Sequence, residues 1–385
     1  MMLRKWAAAL STATILAAFT GAQPAAAAPP QALADDLRTA CANHDAEAAG
    51  QRGWARSRFE QCHHLDLDLE LKKVNTGAHV GWIFLDLWVL ATASDGDRKV
   101  TYEVSVEEVG ISSHLNDALG YISVNFTGCN TADVACTGTP LFRSDTIQGW
   151  FNQPKLATIV ATSPNGVGTG TYKTVDLLAM MSLNVEYRDG QTIPYSNPVA
   201  VLNASRFDSA GSLLGNGKHH GTVFTDFVPV LDLDARTGSN HEAEAKHVRH
   251  ALRRPELTFP SFVGKGVPGE VGSGHPLHRL MNSSLSAQNH NGSVTICKDV
   301  WGQDYATGGM ECDEFPFQST YEGSSTSTGG NPARWHGSAR PIDGDQNGAG
   351  GTALSNFYGA QRLLDNGDPT VPGSYGDAFY VNVLT

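Results

Sequence analysis

Between Cys62 and about Val230, apolar residues recur at every second position or in short runs closed by Gly, Asn and Asp. Leu65, Leu67, Leu69 and Leu71 alternate with Asp66, Asp68 and Glu70, and the same alternation runs through Val100-Thr101-Tyr102-Glu103-Val104-Ser105-Val106 and Leu183-Asn184-Val185-Glu186-Tyr187. A two-residue period places successive side chains on opposite faces of an extended chain, so each segment offers one apolar face to a core and one polar face to water. Strands at such short spacing predict an antiparallel β-sandwich or barrel-like unit. Nothing in this stretch reads as catalytic.

The pattern breaks between Asp232 and Arg254, where Glu242, Glu244, Lys246, His247, Arg249, His250, Arg253 and Arg254 surround a few alanines. This predicts a short helix in a solvated linker, ended before Pro255 because the residue ahead of a proline is pushed out of helical geometry. His247 and His250, like His219 and His220, read as solvated, and His275 and His278 as part of a loop. From His275 onward, glycine and asparagine become frequent and short elements are expected to alternate with long loops. The expected organisation is a signal peptide over 1–28, a β-rich domain of unknown role over 29–231, a linker over 232–270 and a second domain over 271–385.

The leader is read from Arg4 and Lys5, the apolar stretch from Trp6 to about Phe19 and the alanines Ala25 to Ala28, which together have the layout of a secretory signal. No later segment approaches the roughly 20 apolar residues of a membrane span, so an exported product without a membrane is expected. Six cysteines in an exported chain predict disulfides. The expected pairs are the sequence-local ones, Cys41 with Cys62, Cys129 with Cys136 and Cys297 with Cys312, although the count allows many connectivities. A hydrophobic fraction of 41% and a charged fraction of 17% are ordinary for globular chains and permit sizeable cores.

The densest chemistry is Glu311-Cys312-Asp313-Glu314-Phe315-Pro316-Phe317, followed by Tyr321-Glu322-Gly323. Carboxylates this crowded disfavour one another's charge unless a cation shares their field, so a divalent metal site is the first expectation. The region also has the order strand, strand, helix. Residues 311–317 close a first strand, 334–342 form a second, and 351–364 have helical apolar spacing through Leu354, Phe357, Tyr358 and Leu363.

These residues resemble the core of the NucA/NucB family of secreted bacterial deoxyribonucleases. Family members look like D-x-D-E-W-P, then E-G, then a V-R strand, then D-N-R-G-A-G before a helix, then a hydrophobic strand after D-G. The counterparts here are Glu311 to Pro316, Glu322-Gly323, Arg340 in Ser338-Ala339-Arg340-Pro341, Gln346-Asn347-Gly348-Ala349-Gly350, and Asp377-Ala378-Phe379-Tyr380-Val381. The resemblance covers roughly the last 100 residues. It implies a small ββα-metal nuclease domain acting on DNA and says nothing about the β-rich part; with the strand pattern upstream, the expected fold is α+β overall, a β-rich sandwich-like domain followed by that nuclease domain.

It also implies roles. Asp313 stands in the position of the base, with Glu314 and Glu322 organising the site. Asn347 resembles the metal ligand, with Asn356 as a second, for Mg²⁺ or Mn²⁺. Arg340 is placed to contact a phosphate. Gln346 stands where the family has aspartate and Gly348 where it has arginine, and an insertion precedes the last strand, between Asp365 and Gly376.

Charge pulls the other way. The chain carries a net charge of -12, and from His290 to Thr385 four basic residues face 11 acidic ones. Affinity for a polyanion comes chiefly from lysine and arginine neutralising phosphates. The alternative expectation is therefore a noncatalytic extracellular binding protein with a degenerate nuclease fold, its β-rich domain holding an unidentified ligand.

Overall fold

The computed structural model describes residues 30–194, 199–211, 215–367 and 375–385. The expected signal peptide, and part of the expected insertion after Asp365, lie outside them. The chain is mixed α/β, with a β-rich N-terminal region and a helix-containing C-terminal region.

The alternating segments form two antiparallel sheets. The first runs Trp54–Ser57, Glu60–Lys73, His79–Ala93, Lys99–Ile111, Lys155–Thr162, Ala135–Thr137, with Thr192–Pro194 paired to Glu60–Lys73. The second runs Gly221–Phe224, Val199–Asp208, Val175–Tyr187, Gly120–Thr127, Phe142–Thr146. Their inward residues, among them Leu69, Val104, Ile122, Leu183 and Phe207, share one core, and Val175–Tyr187 buries every second side chain as its sequence dictates. All three sequence-local disulfides form. Cys41–Cys62 staples the helix Pro30–Ala42 to the first sheet, where Leu37 packs with Trp88 and Leu90.

In the C-terminal region, the strand Met310–Phe315 pairs antiparallel with Ser338–Asp343, and the helix Gly344–Ala360 follows at once. Asp343 starts that helix by accepting a hydrogen bond from the Gln346 backbone N–H at 3.1 Å, which places its first turn seven residues ahead of the apolar spacing that announced it. Arg362, at φ 47°, closes the chain past the helix end. The strand Ala378–Leu384 lies parallel to Val230–Asp234 and antiparallel to Leu277–His278.

Two expectations are corrected here. The helix expected in a solvated linker exists, over Glu242–Arg253, but it is not solvated. Ala245, Val248 and Ala251 are fully buried in one cluster with Phe315, Leu354, Tyr358, Phe379 and Val381. Spacing i, i+3, i+6 puts the three on one face, and the charged residues between them conceal that stripe in the composition. The long loops expected after His275 are interrupted by a 19-residue helix, Ser283–Trp301, capped by the Asn282 side chain. Half of its buried positions are polar, Asn289 and Ser293 beside Ile296 and Cys297, so no apolar period marks it. Cys297–Cys312 ties it to the acidic strand.

Buried ion pairs join the two regions. Asp377 accepts from both Arg206 (2.6 and 2.7 Å) and Arg58 (2.9 Å), while Arg362 reaches Asp208 and, at 2.8 Å, Asp95. The Arg362 guanidinium passes over Gly221, where a Cβ would meet it at 2.2 Å. Burial raises the Asp377 carboxyl and the two guanidiniums lower it, with the outcome below the usual carboxylate range. Removing one partner leaves the others charged and dry, so Asp377→Ala is expected to cost about 3–5 kcal/mol in denaturant unfolding. Arg236→Ala, which breaks an exposed pair with Asp234, is expected to leave the unfolding midpoint nearly unchanged.

Candidate active site

An acidic strand edge, the first turns of the helix Gly344–Ala360 and the helix Glu242–Arg253 enclose a cleft of about 430 Å³. Glu244, Glu311, Asp313, Glu314 and Asn347 line it, together with His290, Arg279 and Ser355.

Asp313 is buried, and its Oδ2 lies 2.6 Å from His247 Nδ1. The other ring nitrogen, Nε2, lies 2.6 Å from Ser338 Oγ, so the buried imidazole bridges the two strands. With Nδ1–H donating to the carboxylate, the ring holds Asp313 in one orientation.

Glu244 enters from the same helix, one turn before His247, and is 2% exposed. Its Oε2 has no hydrogen-bond partner. A Cβ on Gly350 would sit 1.1 Å from that oxygen, so glycine there is what gives the carboxylate room. Burial, reinforced by the charges of Asp313 and Glu314, pushes Glu244 up to about 9. Glu314 is raised chiefly by burial as well, against the pull of His290, whose Nδ1 is 3.8 Å from its Oε2. Glu314 Oε2 also lacks a hydrogen-bond partner. Asn347 donates from Nδ2 to Glu311 Oε2 at 2.9 Å, which leaves its amide oxygen free of that bond.

Asp313, Glu314 and Asn347 meet in the cleft. Glu322 does not join them. Its carboxylate accepts from the His278 backbone N–H at 2.9 Å and sits 2.7 Å from His278 Nδ1, clamping the strand Leu277–His278. Asn356 is exposed on the helix and off the cleft, where Ser355 takes the lining position. Arg340 is exposed, directly opposite Asp313 in the strand pairing, but it lines a different depression. Gln346 is spent on the helix Glu242–Arg253, accepting from the Ala243 backbone N–H at 2.6 Å.

Glu244, His247 and Arg279 were not expected in the site. The signal for the first two was the spacing i, i+3, with both residues flanking the buried alanine and valine face. Arg279 lies with its guanidinium 3.9 Å from the Tyr358 ring centroid, on the cleft wall.

Among the described residues, no group of three or more His, Cys, Asp or Glu is placed to hold a metal ion. The donors nevertheless fit a hard cation, because they are carboxylate and amide oxygens and two of the carboxylate oxygens lack any partner. Four acidic groups, one of them held by a buried imidazole, and an arginine around one open cleft have the equipment for hydrolysis of an anionic ester. Residues 280–371, in the C-terminal region, match the family model Deoxyribonuclease NucA/NucB. Glu244 and His247 lie upstream of the matched span. No curated protein and no solved structure matches the chain.

The Glu244 shift has a definite sign. A carboxyl raised from about 4.5 to about 9 binds its proton more tightly when folded, so the stability Glu244 contributes to metal-free protein is fully present below the lower value and is lost as pH rises through the interval. Thermal melts in EDTA across that interval are expected to show this decline, and Glu244→Gln is expected to flatten it.

Proposed function

We propose that this is a secreted, metal-dependent endodeoxyribonuclease that hydrolyses phosphodiester bonds of extracellular DNA. The observation that carries the reading is the cleft in which Asp313, Glu314, Glu244 and Asn347 converge inside a region matching a deoxyribonuclease family. The strand, strand and helix of residues 310–360 support a ββα-metal core. The three disulfides suit an oxidising compartment, and no helix among the described residues is long and apolar enough to cross a membrane.

In this reading, Asp313, oriented by His247, takes the proton of the attacking water. The P–O bond to the leaving oxygen breaks as the new one forms. Glu244, Glu314 and Asn347 would hold Mg²⁺ or Mn²⁺, which when bound supplies positive charge to the developing phosphorane. Arg279 on the cleft wall neutralises a substrate phosphate, and Arg340, on the neighbouring surface, contacts the next part of the backbone. The crowding of Glu244, Asp313 and Glu314 lowers cation-free stability in exchange for a strong local field where the cation belongs.

The boundaries proposed are a signal peptide over 1–28, a β-rich unit from 29 and a nuclease unit beginning near residue 230. Val230–Asp234 and Glu242–Arg253 complete the C-terminal core, which argues for moving the boundary upstream of 271. The β-rich unit is proposed to bind a separate, unidentified ligand.

Nicking of supercoiled plasmid by the disulfide-intact mature protein is the test. Nicking is expected with Mg²⁺ or Mn²⁺, is expected to stop in EDTA, and is expected to fall at least about 100-fold in Asp313→Ala. Folded protein that leaves the plasmid intact with either metal would instead favour a noncatalytic binding protein.

A further inference from the structure

On the far side of His247 from Glu244, a second depression of about 200 Å³ opens between the helix Glu242–Arg253 and the C-terminal end of Ser283–Trp301. Its walls include Phe259 and Trp301, whose rings meet edge to face at 5.3 Å and 85°. Both stay largely open to solvent, at 39% and 42%, and Leu257 beside them is 63% exposed.

His250 and Arg340 also line the depression, with the neutral Thr258, Ser338 and Ala339. His250 is held below its ordinary pKa, first by burial and then by the charges of Arg340, His247 and Arg254. The only acidic residue between 250 and 260 is Glu256, and its Oε1 accepts from the Gly264 backbone at 3.0 Å. In a chain of net charge -12, the exposed Arg340 beside two exposed aromatic rings gives this depression a cation and a stacking surface together.

The position ties it to the cleft. His250 follows His247 by three residues, about 4.5 Å along the helix axis. Arg340 is the direct strand partner of Asp313, so the two residues project from the same face of the strand pair. Register pairing thus places Arg340 next to Asp313, at the border between the acidic cleft and the aromatic depression.

We propose that Phe259 and Trp301 form a stacking subsite for one unpaired nucleobase of a single-stranded DNA segment, with Arg340 and Arg254 holding its flanking phosphate. The proposal rests on the nuclease reading and narrows its substrate. A base inside a duplex has both faces covered by its neighbours and presents no ring to stack on, whereas an unpaired base does. Every base has a π-face, so the subsite selects for strandedness rather than sequence.

The test is fluorescence anisotropy with a fluorescein-labelled oligo(dT) single strand and a labelled hairpin duplex, both in EDTA so that binding is read without cleavage. Trp301→Ala is expected to weaken single-strand binding about 10-fold, the value of one lost base stack, and to weaken hairpin binding less. Trp301→Phe, which keeps an aromatic face, is expected to restore most of the affinity. Wild-type protein that does not bind the oligonucleotide overturns the proposal. So does a Trp301→Ala variant with unchanged melting temperature that binds it as tightly as wild type, or loses single strand and hairpin equally, which would mark the patch as a surface for another kind of partner. Plasmid nicking by the same preparation separates the two claims. Nicking with single-strand binding indifferent to Trp301 sinks the subsite alone, and stacking-dependent binding without nicking sinks the nuclease reading alone.

Discussion

His247 is the joint on which the C-terminal region turns. Its ring spans Asp313 on one strand and Ser338 on the other, at 2.6 Å each, from a helix that is fully packed against both. A buried imidazole with both nitrogens engaged fixes the rotation of that helix about its own axis. Fixing it brings Glu244 to one side, against Asp313 and Glu314, and His250 to the other, beside Arg340. The acidic cleft and the aromatic depression are thus two consequences of one contact.

Electrostatics explains why such an acidic chain is compatible with a polyanionic substrate. Net charge describes the field at a distance, while catalysis and affinity depend on charges within a few ångströms. The cleft concentrates carboxylates where a cation would sit, and the arginines lie around it: Arg279 on its wall, Arg340 and Arg254 beyond His247. Other arginines serve the architecture. Arg58, Arg206 and Arg362 are buried in pairs with Asp377, Asp208 and Asp95, which fasten the β-rich unit to the segment leading into the last strand.

Much of the fold was legible in the sequence because it is written locally. Strand alternation in Leu65 to Leu71 and Val100 to Val106 is a period-two signal, and the three disulfides join neighbours in sequence. The acidic strand was legible because it is a contiguous word. What escaped is written across the chain or in polar residues. Ser283–Trp301 buries asparagine and serine, so it lacks an apolar stripe. Glu244 and His247 carry the composition of a solvated helix, and only their packing under Gly350 and against Asp313 reveals them. Glu322 was misjudged for the opposite reason: it sits inside the motif, but its carboxylate is occupied by His278.

The central claim is that the crowded carboxylates form a cation site beside the water-activating aspartate. Anomalous diffraction from crystals of the protein soaked in Mn²⁺ tests it most directly. A peak in contact with carboxylate oxygens of Glu244 or Glu314 and within reach of Asn347 is expected. Ordered crystals with the cleft open and no peak there, or with Mn²⁺ bound only elsewhere, would contradict it.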